Sequence, residues 1–194
     1  MDIYGEKHFM NNRDLEKYGR RQAQSCLYLI DLLGAYYEHY GSKIWDDLAT
    51  VHEKQYEMIS EAFEISKSTP ANSYYFRYMY EGIKPSNEIE RLAIHYVSYL
   101  RGIERYSEII SNNCNPAALE KKWFLLWPYL YGDAKDNSEL CRSKIFAHYC
   151  TSSCFKITPS SLVSCFRFMK LINSTIRTER KIIKRIDRRN KAKQ

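Results

Sequence analysis

The segment CRSKIFAHYC, residues 141–150, carries an arginine and a histidine six positions apart, Arg142 and His148. An imidazole titrates near neutral pH, so it can take or give a proton while a phosphodiester is cleaved. A guanidinium forms a planar fork that suits phosphate oxygens and the charge that develops on phosphorus. The two side chains could therefore cleave RNA without a metal, with His148 as acid or base and Arg142 holding the phosphate.

The spacing of this pair sets a geometric condition. On a straight α-helix, six residues separate two side chains by about 120° around the axis and about 9 Å along it. One uninterrupted helix would therefore not bring Arg142 and His148 together. We expect either a turn between them or a second subunit that completes the site. The structural alternative is a surface arginine and a half-buried helix histidine bonded to a carbonyl or a tyrosine.

The flanking residues Ser143, Lys144 and Ala147 extend this pattern, and the segment resembles the R-x(4–6)-H motif of the HEPN superfamily. That superfamily of helical bundles includes many toxin and antiviral ribonucleases, and its motif lies just before the final helix. The resemblance covers only this short segment, and Ser143 stands where the family commonly has Asn, Asp or His. It implies a homodimer with two motifs facing each other across a cleft, and no cofactor. In that site Arg142 and His148 are the catalytic residues, with Ser143 or, alternatively, Lys144 as the assisting residue.

The formal charge of +7 is confined to the C-terminus. Residues 1–175 contain 21 basic and 21 acidic side chains, whereas residues 176–194 contain 9 basic and 2 acidic ones. No aromatic residue follows Phe168, so this tail is expected to contact phosphates and not to stack on bases. The alternative is a solvated helix end. We predict contact with RNA or another polyanion at Arg177, Arg180, Lys181, Lys184, Arg185, Arg188 and Arg189.

The cysteines and tyrosines bear on location and partners. Six cysteines and a charged N-terminus with no secretory signal predict a reduced, cytoplasmic protein. The longest apolar run, residues 123–131, is too short for a membrane span.

The 17 tyrosines are either core residues or a surface for a protein partner. No C-x-x-C pair is present, so we expect buried thiols and no metal; the alternative is a zinc site drawn from Cys141, His148, Cys150, Cys154 and Cys165.

Apolar positions at three- and four-residue steps, with only 7 glycines and 5 prolines, predict an all-α protein. We expect a bundle of five to seven helices with a long basic C-terminal helix. It forms one domain, with residues 1–175 as the bundle and 176–194 as the basic end of the last helix. Gly41 should end the first helix and Ser86 should cap the fourth. The first four expected helices span residues 12–40, 44–67, 74–82 and 87–110. The fifth begins at Pro116 and is expected to kink or stop near Pro128. After a loop at residues 131–138, two further helices are expected at 138–151 and 160–189.

Two functions fit these features. The first is a helical nucleic-acid-associated protein, in its most specific form a metal-independent endoribonuclease of the defence or toxin type. The second is a non-catalytic accessory protein of a virus or mobile genetic element that engages a protein assembly. Both use the basic tail, and neither requires a membrane.

Overall fold

The structure, a computed structural model, describes residues 12–66, 85, 87–112 and 121–151, and also positions 170, 173, 174, 176, 177 and 181. Every element within these ranges is a helix, and no strand occurs there. The predicted all-α class is confirmed. Four helices are described: α1 Asn12–Tyr40, α2 Lys43–Ala62, α3 Glu88–Asn112 and α4 Lys121–Thr151.

The chain divides into two compact units. The first unit comprises Met1–Ala71 and Gly102–Asp133, and the second comprises Asn72–Arg101 and Ala134–Gln194. Each unit therefore combines two stretches that are separated along the chain. The boundary predicted at residues 175 and 176 rests on charge alone and stays a prediction.

The helices α1 and α2 form a helical hairpin in the first unit. The first helix ends as the sequence predicts, because Gly41 adopts a left-handed conformation with φ of 64°. The backbone N–H of Gly41 donates to the carbonyl of Tyr37 at 2.8 Å and closes the last turn of α1. A glycine takes this conformation without the steric penalty that a β-carbon adds.

An aromatic cluster fills one end of the first unit. The Phe63 ring lies 4.9 Å from the Trp123 ring and 6.0 Å from the Trp127 ring, measured between centroids. Trp127 also contacts the rings of Tyr18 and Tyr106. Buried aromatic pairs contribute both apolar area and ring-to-ring attraction, so this cluster joins all four helices within the unit.

The second helix ends earlier than predicted. The sequence pattern placed its end at residue 67, whereas α2 stops at Ala62. Glu64 adopts a φ of 53°, and the N–H of Ile65 donates to the carbonyl of Ser60 at 2.8 Å. This is a Schellman-type end with glutamate in the position where glycine is usual, so the sequence carried no signal for it.

The cap of α3 also differs from the prediction. The helix begins at Glu88, and the side-chain oxygen of Asn87 accepts a hydrogen bond from the N–H of Glu90 at 2.9 Å. Asn87 is therefore the N-cap, one residue after the predicted Ser86, which lies outside the described residues. Asparagine and serine cap helices in the same way, so the sequence alone did not separate them.

The prediction of a kink or stop near Pro128 was wrong. The helix α4 runs without a break from Lys121 to Thr151, and the segment 131–138 is helical instead of a loop. The ring of Pro128 is exposed to solvent. Proline has no backbone N–H, so the helix lacks one hydrogen bond at this position. Packing of a continuous buried stripe compensates for the proline; the stripe comprises Trp123, Leu126, Trp127, Leu130, Ala134, Asn137, Ser138, Cys141 and Ile145.

The second unit has its own buried residues. The first half of α3 is buried around most of its circumference, as expected of a helix in the middle of a core. Its buried side chains include Leu92, Ile94, His95, Val97 and Tyr99. Two further predicted helices, residues 74–82 and most of 160–189, lie outside the described residues, although the six described positions in the latter segment are helical. The predicted total of five to seven helices therefore stays a prediction.

Candidate nucleic-acid interface

The two units carry opposite formal charges. The first unit contains 11 basic and 16 acidic residues, a formal charge of −5. The second contains 19 basic and 7 acidic residues, a formal charge of +12. The charge separation is thus larger than the sequence suggested, because the tail shares a unit with further cations and with few carboxylates. Such a surface attracts polyanions over several ångströms of solution.

The three candidate catalytic residues lie near the end of α4, in the second unit. Arg142, Ser143 and His148 are all exposed to solvent, whereas Cys141 and Ile145 on the same turns are buried. The Arg142 guanidinium pairs with the carboxylate of Glu139 one turn earlier, at 2.5 Å. Both partners are more than half exposed, so this ion pair is weak and open to competition from another anion.

The helix α4 is continuous between Arg142 and His148. The two side chains are therefore separated by about 120° around the axis and about 9 Å along it, as for any straight helix. The structure excludes the first arrangement that the sequence allowed, a turn between the two residues. The second arrangement, a second copy of the chain that completes the site, stays a prediction.

The C-terminal segment presents cations at helical spacing. Among its described positions, Lys170, Arg177 and Lys181 are exposed and helical, and so are Asn173 and Ser174. Positions 170, 173, 174, 177 and 181 recur at three- and four-residue steps, which is the spacing of residues on one helical face. The other predicted contact residues lie outside the described residues: Arg180, Lys184, Arg185, Arg188 and Arg189.

Phe146 was missed by the sequence analysis. Its side chain is 68% exposed on α4, and the residue lies one turn after Arg142 on the same face. In the structure, Phe146 falls outside the buried stripe to which Cys141 and Ile145 belong. The sequence does not mark it as exposed, because an aromatic residue next to an isoleucine fits an apolar pattern.

A buried polar network links the helices of the first unit. The Nδ1–H of His52 donates to Oε1 of Gln55 at 3.0 Å, and Nε2 of Gln55 donates to Oδ2 of Asp133 at 3.0 Å. The thiol of Cys26 lies 3.9 Å from the same Gln55 oxygen. Burial lowers the pKa of His52 from 6.5 to about 4 and raises the pKa of Cys26 to about 12. A neutral imidazole and a protonated thiol favour a structural role for this network.

The cysteines that the structure describes bear on the zinc alternative. Cys26 and Cys141 are buried free thiols, and burial raises the pKa of Cys141 to about 12. No group of three or more potential metal ligands occurs among the described residues. Cys154 and Cys165 lie outside them, as does the side chain of Cys150.

The tyrosines whose side chains are described range from buried to exposed. Tyr36, Tyr99 and Tyr106 are buried and Tyr37 and Tyr129 are exposed, whereas the others lie between these extremes. The interpretation of the tyrosines as core residues accounts for the buried positions. Across the described residues, no helix combines the length and apolar character needed to cross a membrane.

In comparisons with known proteins, no protein-family model, curated protein or solved structure matches the chain.

Proposed function

We propose that the chain binds nucleic acid, with RNA as the favoured polyanion, through the cationic surface of the second unit. The observation that carries this proposal is the formal charge of +12 on that unit beside −5 on the first. A uniformly basic protein would attract polyanions everywhere. A chain with one acidic and one basic unit directs them to a single region.

The exposed cations of the second unit support contact with the phosphate backbone. Lys170, Arg177 and Lys181 are helical and exposed, and Arg142 and Lys144 are exposed on α4. Contacts of lysine and arginine with phosphates carry no sequence information, so binding through them is expected to be salt-dependent and largely independent of sequence.

The most specific form of this function is a metal-independent endoribonuclease that acts as a homodimer in the cytoplasm. In that form, His148 serves as acid or base, Arg142 stabilises the charge on phosphorus, and Ser143 assists. The exposure of all three residues supports it, because each is accessible to a substrate or to a second copy. A second copy is required, since α4 holds Arg142 and His148 apart.

The binding proposal is tested by measuring RNA affinity of the full chain at several salt concentrations. In the variant Lys170→Gln, Arg177→Gln, Lys181→Gln we expect weaker binding and a salt slope that is shallower by about 1 for each phosphate that the variant no longer neutralises. The matched control neutralises three exposed cations of the first unit, Lys17, Arg21 and Lys54, and should bind RNA as tightly as the wild type. Equal weakening in both variants, or no RNA binding at low salt, would reject the proposal in favour of a protein partner.

The ribonuclease form is tested separately by incubating the protein with RNA in the presence of a chelator. His148→Ala should abolish cleavage without changing the circular dichroism spectrum or the affinity for RNA. Cleavage that persists in this variant, or that depends on magnesium, would reject the catalytic roles and leave the binding proposal standing.

A further inference from the structure

The exposed ring of Phe146 lies in the basic unit and not in the acidic one. A single exposed apolar side chain is common on protein surfaces and by itself indicates nothing. Phe146 differs because the exposed residues that precede it on its face are polar or charged. Glu139, Arg142 and Ser143 lie seven, four and three residues before it and are all exposed, and the exposed residue that follows it, Ala147, is small.

The relative positions on α4 place a cation beside this ring. Arg142 precedes Phe146 by four residues, which puts the two side chains on one face and about 6 Å apart along the helix. The guanidinium is held by the exposed pair with Glu139, so a phosphate can displace that carboxylate. An aromatic face next to an arginine is the arrangement by which proteins hold single strands: the base stacks and the adjacent phosphate pairs with the cation.

Building on the proposed function, we infer that Phe146 stacks on an unpaired base while Arg142 binds the neighbouring phosphate, so that the second unit prefers single-stranded nucleic acid to a duplex. The bases of a duplex are stacked on each other and their faces are closed to a side chain, whereas a single strand offers them. The tail supplies backbone contacts that are common to both forms. Phe146 therefore determines the preference between them.

The test compares a short oligouridylate with an RNA duplex, measured by fluorescence anisotropy with the full chain at low salt. Phe146→Leu keeps an apolar side chain but removes the aromatic face, and we expect it to weaken single-strand binding roughly 5- to 150-fold. Duplex binding should stay unchanged. Phe146→Trp should bind the single strand at least as tightly as the wild type.

Leu125 provides the matched control. It lies on the same helix in the first unit, and its side chain is 69% exposed, close to the value for Phe146. Leu125→Ala should leave the affinities for both RNAs unchanged. An equal effect of the two substitutions would show that a reduced apolar surface, and not stacking, is responsible.

Other outcomes separate this inference from the proposed function. If the wild type binds RNA and Phe146→Leu binds the single strand equally well, stacking is rejected and nucleic-acid binding stands. If the same substitution converts a dimer to a monomer in sedimentation analysis with RNA affinity unchanged, Phe146 is a contact between copies and the inference is wrong. If the wild type binds neither RNA, both proposals fail together.

Discussion

Gly19 of α1 lies so close to Phe63 that a β-carbon at position 19 would sit 2.2 Å from Cε2 of that ring. The ring cannot move away freely, because it is buried between Trp123 and Trp127. We expect Gly19→Ala to lower the free energy of unfolding by about 1–3 kcal/mol, measured by urea denaturation.

Gly34 of the same helix is the control for this substitution. Apart from the neighbouring backbone of α1, no atom of the described residues lies within 4 Å of a β-carbon built there. Gly34→Ala should therefore raise the free energy of unfolding by about 0.5–1 kcal/mol, because alanine favours the helix. Stabilisation by both substitutions would mean that Phe63 packs less tightly on Gly19 than this distance implies.

The indole N–H of Trp123 donates to the carbonyl of Ala62 at 2.8 Å, at the end of α2. The indole nitrogen of Trp127 is also buried but has no hydrogen-bond partner within the described part of the chain. Both Trp→Phe substitutions remove a similar volume, but only Trp123→Phe leaves a carbonyl unsatisfied. We expect Trp123→Phe to cost about 1–3 kcal/mol more than Trp127→Phe in thermal or urea unfolding. Equal costs would show that this hydrogen bond contributes nothing to stability.

Burial of His52 makes stability depend on pH. Its pKa is lowered from 6.5 to about 4 in the folded chain, so the unfolded chain binds more protons between these values. The contribution of the neutral imidazole to the free energy of unfolding is therefore complete above about pH 6.5. That contribution, about 3 kcal/mol, is lost as pH falls toward 4. Urea denaturation across this range should show a shallower pH dependence for His52→Gln than for the wild type. The exposed His39 serves as control, and a profile for His39→Gln that matches that of His52→Gln would contradict the assignment.

The ion pair between Glu139 and Arg142 gives a prediction about binding. Glu139→Gln releases the guanidinium and removes a carboxylate from the face that holds Phe146, so RNA affinity at low salt should rise about twofold to fivefold. Asp136→Asn removes the same charge from an exposed position three residues earlier on α4, outside the Arg142 pair. A gain of the same size in that variant would mean that net charge alone is responsible.

Local signals predicted some features of the fold well. The first helix was predicted with its observed bounds because Gly41 marks its end. The end of α2 was missed because Glu64 takes a conformation that is usual for glycine and that its residue type does not predict. The break expected at Pro128 did not occur, since burial on both sides of the proline outweighs its cost, and burial is not visible in a local pattern.

The role of the candidate site stays a prediction. The sequence left open whether His148 is half-buried and whether a turn separates it from Arg142, and the structure shows it exposed on the continuous helix α4. The sequence located the excess charge in the tail. It did not reveal that the remaining residues divide into an acidic and a basic unit, because the stretches that form each unit are far apart along the chain.

The helices α3 and α4 each pass from one unit to the other without interruption, between residues 101 and 102 and between residues 133 and 134. The polypeptide thus enters each unit twice. Truncation from either end of the chain therefore cannot produce one unit alone. A fragment ending at Asp133 would contain the whole acidic unit and also residues 72–101, which belong to the basic unit. The basic unit could be produced alone only by joining residues 72–101 to residues 134–194. Its binding is therefore best studied by point substitutions in the intact chain.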